Sequence, residues 1–348
     1  MMNSLSALPS LLLPWFDENK RELPWRADRE PYHVWLSEIM LQQTRVEAVK
    51  GYYARFLEAL PTIADLAAAD PDQLNKLWEG LGYYTRVRNL QAAAKRIMER
   101  HGGVFPSEFD EIRQLPGIGD YVAGAVSSIC FETPTPAVDG NVLRVWARLL
   151  RDERPINEEK TKRACREALA GIYPKGRCGD FTQALMELGA TVCLPNGAPR
   201  CERCPLRSLC QSSSDEGWKQ YPVKAPKKAR KSEQWTVFVL ECEGAFALRK
   251  RPETGLLAGL WEYPNVPGQL EAPEALAQAE AWGLHPRAIE QVLERSHIFT
   301  HVRWQMRCYY LQVGKKDRRF VWADRAALRG EIALPTAFRM FSPGQPNP

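Results

Sequence analysis

Four cysteines within eighteen residues, Cys193, Cys201, Cys204 and Cys210 in the spacing C-x7-C-x2-C-x5-C, constrain this chain more than any other feature. Thiolates this close in sequence suit a metal cage. A [4Fe–4S] cube takes four cysteinyl sulfurs, whereas the alternative, a structural zinc ribbon, usually sets two C-x2-C pairs apart by a longer arm. The cluster is the favoured cofactor, and its role is at least as much structural as redox, because no flavin or nicotinamide fingerprint accompanies it. Arg200, Arg203 and Arg207 in the same loop would turn the cage into a cationic knuckle for a phosphate backbone. The other five cysteines, Cys130, Cys165, Cys178, Cys242 and Cys308, lie among apolar or helical neighbours and read as ordinary buried thiols.

The N-terminus lacks the order of a secretory signal: the apolar run Leu11–Leu13 is followed at once by Pro14, Trp15 and the charges of 17–22. No segment reaches the roughly eighteen apolar residues of a membrane span. Residence in the bacterial cytosol or nucleoid is therefore expected, where thiols and metal ligands outnumber disulfides. The net charge of +5, from 47 basic and 42 acidic residues, leans weakly towards a polyanionic partner. The run KAPKKARK at 224–231 holds five cations in eight positions and reads as an exposed basic linker, able to lie along phosphates or simply to stay in water.

From Pro9 to about Ala190 the apolar spacing is helical, as in Val34, Trp35, Ile39 and Met40 or Leu90, Ala93, Ala94 and Ile97, with breakers at Leu60-Pro61, Asp70-Pro71 and Phe105-Pro106. Beyond the linker the period changes. WTVFVLEC at 235–242 and MRCYYLQV at 306–313 carry the β-branched and aromatic residues of strands, and Pro273–Trp282 reads as one short helix. The expected fold is mainly α, with an α+β domain at the C-terminal end. The expected boundaries are a helical domain 1–222, a basic linker 223–233 and a second domain 234–348, and 45% apolar residues suffice for a core in each.

Three sites in the helical part carry chemistry. Leu115-Pro116-Gly117-Ile118-Gly119 is a glycine hairpin that opens a helix, a place where backbone amides and the helix N-terminus can face a phosphate. Glu38 lies on an amphipathic helix beside Ile39, Met40 and Leu41; a carboxyl among apolar groups has a raised pKa and can donate a proton near neutrality. Asp139 precedes the helix Val142–Leu150, whose dipole and orphan amides favour the anion. Singly, each has a blander reading as a turn, a surface charge or a plain cap. Together, a neutral-leaning Glu and an anionic Asp are what glycosidic cleavage through an oxocarbenium-like cation requires.

LPWR at 23–26, SEIMLQQTRV at 37–46, LWEGLGYYTRVRNL at 77–90, LPGIGDY at 115–121, PAVDGNVLRV at 136–145 and the four cysteines resemble the MutY family of adenine DNA glycosylases, within the helix–hairpin–helix superfamily. The resemblance runs over nearly the whole chain. It implies a helix–hairpin–helix glycosylase fold with an iron–sulfur subdomain and a C-terminal Nudix-like domain. Glu38 would protonate adenine at N7 and then handle water, Asp139 would stabilise the sugar cation, and Asn141 would help order the site. Tyr121 stands where bifunctional relatives carry a Schiff-base lysine, so a monofunctional hydrolase is implied. Arg26, Gln43 and Thr44, the loop Leu81-Gly82-Tyr83 and the hairpin glycines Gly117 and Gly119 would contact DNA, with Gln43 and Thr44 as the wedge at the lesion.

RKRPETGLLAGLWEYP at 249–264 resembles the family's Nudix-like domain, but no REUxEExGU cluster follows it, which implies recognition without hydrolysis. Phe299-Thr300-His301 matches the family's Phe-Ser-His contact to 8-oxoguanine, with Thr in place of Ser. The implied partner is duplex DNA carrying adenine opposite 8-oxoguanine or guanine, bound by a monomer and without a membrane. The rival readings are a thymine-mismatch glycosylase of the same superfamily, and a non-catalytic iron–sulfur lesion sensor or electron carrier.

Overall fold

The computed structural model describes residues 5–226 and 229–344, so Lys227 and Lys228 of the basic run lie outside the described residues. Helices α1 (Leu8–Asn19), α2 (Pro31–Met40), α3 (Val46–Ala59), α4 (Ile63–Ala68), α5 (Pro71–Leu77), α6 (Thr85–His101), α7 (Phe109–Arg113), α8 (Asp120–Phe131), α9 (Gly140–Leu150), α10 (Glu159–Ala170) and α11 (Cys178–Thr191) follow one another in the chain. Their starts are chemically marked. Pro31 and Pro71 occupy first-turn positions of α2 and α5, where a missing N–H is harmless. The Asp70 carboxylate caps α5 through the N–H groups of Asp72 and Gln73, and Asp139 caps α9 through Val142.

Close contacts divide the chain into two units. One takes the residues up to Ala68 and those from Arg88 to the basic linker; the other takes Ala69–Val87 and the chain beyond the linker. The stretch 69–87, which the sequence places within a helical domain 1–222, thus groups with the C-terminal part. The cause is polar and local to that unit: Lys76 donates to the Ile332 carbonyl (3.1 Å), Glu79 accepts from the Leu334 amide (3.0 Å), and Lys250 pairs with Asp72 (2.9 Å).

In the first unit α1, α9 and α11 share a core of Leu8, Leu12, Phe16, Trp146, Phe181 and Leu188, joined by Leu206 of the cysteine loop. Each such side chain contributes about 1.5–3 kcal/mol by leaving water. The Leu11–Leu13 run therefore belongs to a core helix. Helix α2 differs from the amphipathic expectation. Tyr32, Val34, Trp35, Leu36, Ile39 and Met40 are all buried, so α2 is enclosed on every side and carries Ser37 and Glu38 inside with it.

The second unit is built on a seven-stranded mixed sheet of β1 (Lys231–Cys242), β2 (Ala245–Lys250), β3 (Trp261–Glu262), β4 (Asn265–Pro267), β5 (Pro286–Ile298), β6 (Val302–Val313) and β7 (Val321–Asp324). The main path runs β3-β2-β1-β6-β5; β4 pairs with β1 and β7 with β2. Strands β1 and β6 are parallel, with Trp235 opposite Met306 and Val239 opposite Tyr310. Both faces of the sheet are covered, which explains the unbroken apolar run of β1. Val237 and Val239 face Phe338 and Phe341 near α14 (Thr336–Arg339), while Phe238 and Leu240 face Ala275 and Ala279 of α12 (Ala272–Ala281). Between these elements and β7, α13 spans Arg325–Gly330. Strand β1 begins three residues before the expected boundary, so the last cation of the basic run is already in the sheet.

Candidate active site

Within the first unit a cavity of about 500 Å³ is lined by Glu38 from α2, Tyr121 from α8, and Asp139 and Asn141 from the start of α9. The Tyr121 hydroxyl donates a hydrogen bond to Glu38 Oε2. Burial lifts the Glu38 carboxyl to about 7; the Tyr121 bond opposes the rise and the nearby Asp139 charge adds to it. Burial likewise pushes the Tyr121 phenol well above its ordinary value, so the phenol remains a donor. A protonated carboxyl at neutral pH facing an open cavity can serve as a general acid and, once deprotonated, as a base for water.

Asp139 accepts from the Val142 amide and from Asn141 Nδ2, both at 2.7 Å. Burial raises its carboxyl, against the low value expected of a plain helix cap; the Val142 and Asn141 donors and the Arg144 charge work the other way. Donors reach both Asp139 oxygens and a guanidinium lies near, so the rise caused by burial is opposed there, as the Tyr121 bond and the Arg26 charge oppose it at Glu38.

Sequence reasoning missed a chain of arginines behind this pair. Arg144 donates to Asn141 Oδ1 (2.8 Å), to the Gly189 carbonyl (2.7 Å) and to the Cys193 carbonyl (2.8 Å). One turn on, Arg148 donates to Cys193 Sγ (3.3 Å) and to the Leu194 carbonyl (2.8 Å). Two cations four residues apart on an apolar helix were the available signal. Glu187 was also missed: fully buried, it accepts from Arg26 (2.8 Å) and Arg21 (3.0 Å) on the cavity wall. Burial works to raise its carboxyl and the two guanidiniums more than reverse this. Its setting, Met186-Glu187-Leu188, is the same apolar context that singled out Glu38.

Arg26, Gln43 and Thr44 line the same cavity, and Gln43 adopts φ 59°. A left-handed backbone at a non-glycine residue is uncommon and concentrates at functional sites. The hairpin follows the sequence reading. Gly117 has φ 75°, and an added Cβ there would lie 2.5 Å from Asn89 Cβ; Gly119, the N-cap of α8, has open space around it.

Cys193, Cys201, Cys204 and Cys210 line one small cavity with Arg148 and Arg207. Among the described residues no three His, Cys, Asp or Glu side chains converge tightly enough for a single metal ion. Four thiols around one void are the number and kind of donors that an iron–sulfur cube takes, so the donor set fits that group. Burial and mutual proximity raise the thiols of Cys201, Cys204 and Cys210, a cost that bound cations reverse. Of the remaining cysteines, Cys165, Cys178, Cys242 and Cys308 are buried, and Cys130 is partly buried.

In the second unit the loop of Leu81, Gly82 and Tyr83 meets the β5–β6 turn. Tyr83 Oη lies 3.2 Å from Thr300 Oγ1, so the threonine hydroxyl is engaged by the loop itself. Tyr83 is half-exposed with φ 49°, whereas Tyr84 is a core aromatic. Arg86 donates to the Leu81 and Gly82 carbonyls and lies over the Trp78 and Tyr83 rings. Phe299 packs edge-on against Trp304, and His301 is exposed.

The helical unit, its hairpin and its paired carboxyls define a base-excision DNA glycosylase. Residues 36–170 match the HhH-GPD superfamily of base excision DNA repair proteins, and residues 236–342 match the NUDIX domain. The chain is 35% identical to adenine DNA glycosylase of Mus musculus, over 97% of this chain and 78% of that one. A thermostable thymine-DNA glycosylase superposes with TM-score 0.56 and 28% identity over 61% of this chain and 97% of its own. An endonuclease III–DNA covalent intermediate does so with TM-score 0.53 and 25% identity over 64% and 99%. The chain belongs to the adenine DNA glycosylase family.

Proposed function

We propose that the enzyme hydrolyses the N-glycosidic bond of adenine mispaired with 8-oxoguanine or guanine in duplex DNA, as a monofunctional monomer. The observation that carries this reading is the pair of buried carboxyls with unlike donors around one cavity, Glu38 with Tyr121 and Asp139 with Val142 and Asn141. Glu38 protonates the leaving base, developing positive charge on the sugar is met by Asp139, and Glu38 then draws a proton from the attacking water. Tyr121 holds Glu38 and offers no amine for an imine. Arg26 and Glu187 fix the wall against which the extruded base lies.

The hairpin amides at Gly117 and Gly119 take a backbone phosphate, while Gln43 and Thr44 fill the gap left by the flipped nucleotide. Tyr83, with Leu81 and Gly82, and the turn Phe299-Thr300-His301 read the opposite base. The four cysteines hold a [4Fe–4S] cluster, which when bound supplies cross-links that order the loop 193–210. The fit to thymine-DNA glycosylase supports a thymine reading for the helical part alone; relatedness across 97% of the chain favours adenine. The enzyme works in the cytosol. A Glu38→Gln variant that binds a mispaired duplex as wild type does, yet releases base about a thousandfold more slowly, is the expected result; unimpaired release by it would remove Glu38 from the mechanism.

A further inference from the structure

A second concavity lies wholly within the C-terminal unit, about 470 Å³ in volume, walled by Leu328, Leu334 and Pro343 and edged by Arg325, Arg329 and Arg339. Lys76 and Glu79 close its remaining side. They neutralise each other: Glu79 accepts from Lys76 Nζ at 2.8 Å through one oxygen and from the Leu334 amide at 3.0 Å through the other. Asp324, adjacent in sequence, uses its carboxylate to cap α13 through the Ala327 amide at 2.8 Å.

Arg325, Arg329 and Arg339 line this cavity, and none of the three forms an ion pair with a carboxylate among the described residues. Elsewhere in the unit Arg249 and Arg251 hold Glu262, Arg307 holds Glu271 and Glu294, and Arg319 holds Asp317. Arg325 lies instead over the Phe246 ring, 5.7 Å from its centroid. Three like charges around one concavity raise the local positive potential, which a multiply charged anion lowers more than scattered salt does. Guanidinium forks match phosphate oxygens, and the volume lies in the range of about 300–1,000 Å³ usual for small-ligand sites.

We propose that this cavity binds a multiply charged phosphate, its oxygens taken by Arg325, Arg329 and Arg339 and any apolar remainder by Leu328 and Leu334. The phosphate comes either from the backbone of a bound duplex or from a free polyphosphate. Its charge competes with Glu79 for Lys76.

The test uses the full chain, inorganic tripolyphosphate and a mispaired duplex, comparing wild type with Arg329→Ala/Arg339→Ala. Calorimetry of wild type should give one tripolyphosphate per chain, and the double variant should bind it at least about tenfold more weakly. If the occupant is the duplex backbone, the slope of log affinity against log salt falls by about 2 in the variant, as expected for two lost phosphate contacts. An unchanged slope with lost tripolyphosphate binding assigns the site to a free polyphosphate. If both the tripolyphosphate affinity and the slope match wild type in a normally folded variant, the proposal fails. Arg329→Glu alone, at an exposed position, gives the same readout should the double variant misfold.

Discussion

The Tyr121 hydroxyl donates to the Glu38 carboxyl, joining α8 to α2 and holding down the pKa of the group buried between them. Because this bond opposes the burial that lifts Glu38 to about 7, a Tyr121→Phe substitution raises Glu38 further. The protonated form is the acid, so wild-type base release should decline as pH rises through about 7. In the phenylalanine variant the decline moves to higher pH. Single-turnover pH profiles of the two proteins check this, and coincident alkaline limbs would show that Glu38 is not the titrating acid.

The same burial carries a stability cost with a defined sign. Glu38 binds its proton more tightly folded than unfolded, where a glutamate titrates at about 4.3. Its contribution is neutral below that value and becomes unfavourable as pH rises to about 7, levelling off at about 4 kcal/mol above it. Glu38→Gln removes the charge, so the variant should be more stable than wild type at pH 8, equal near pH 4, and slower in base release by about a thousandfold. Urea unfolding at both pH values, beside single-turnover kinetics, measures all three.

The two hairpin glycines should separate on substitution. Gly117→Ala forces a Cβ into Asn89 at a positive φ and should destabilise the protein by about 1–3 kcal/mol. Gly119→Ala meets open space at φ −100° and should leave stability within about 0.5 kcal/mol while weakening duplex binding, because the methyl stands where a phosphate approaches. Thermal unfolding and fluorescence-anisotropy titration distinguish the cases; equal stability losses would refute the division of roles.

Glu187 is buried between two guanidiniums of the cavity wall. Glu187→Ala leaves Arg21 and Arg26 without their common acceptor and should cost about 1–3 kcal/mol, more than truncating a surface pair because Arg26 stays largely out of water. Denaturant unfolding measures it, and a loss below 1 kcal/mol would mean that the arginines find water instead.

Much of this was legible because local chemistry and global packing agree. Asp139 before an apolar helix reads as a cap and is one, and the cysteine spacing survives as four thiols around one void. What was hidden depends on contacts distant in sequence. The charged strand β5 shows no apolar alternation, since it lies at the sheet edge with most side chains in water, yet it pairs along β6 from Pro286 to Ile298. The parallel pairing of β1 with β6 and the grouping of Ala69–Val87 with the sheet leave no local trace. Arg144 lies within a helix whose apolar pattern was read correctly; that it spans Asn141 and the Cys193 carbonyl follows only from the fold.

The most direct measurement is single-turnover base release from duplexes carrying adenine opposite 8-oxoguanine, adenine opposite guanine and thymine opposite guanine, revealed by alkaline cleavage at the abasic site. Adenine should be released from both purine mispairs, fastest opposite 8-oxoguanine, with thymine untouched and no strand cut before alkali. Release of thymine alone, or intact duplexes in all three reactions, would contradict the account.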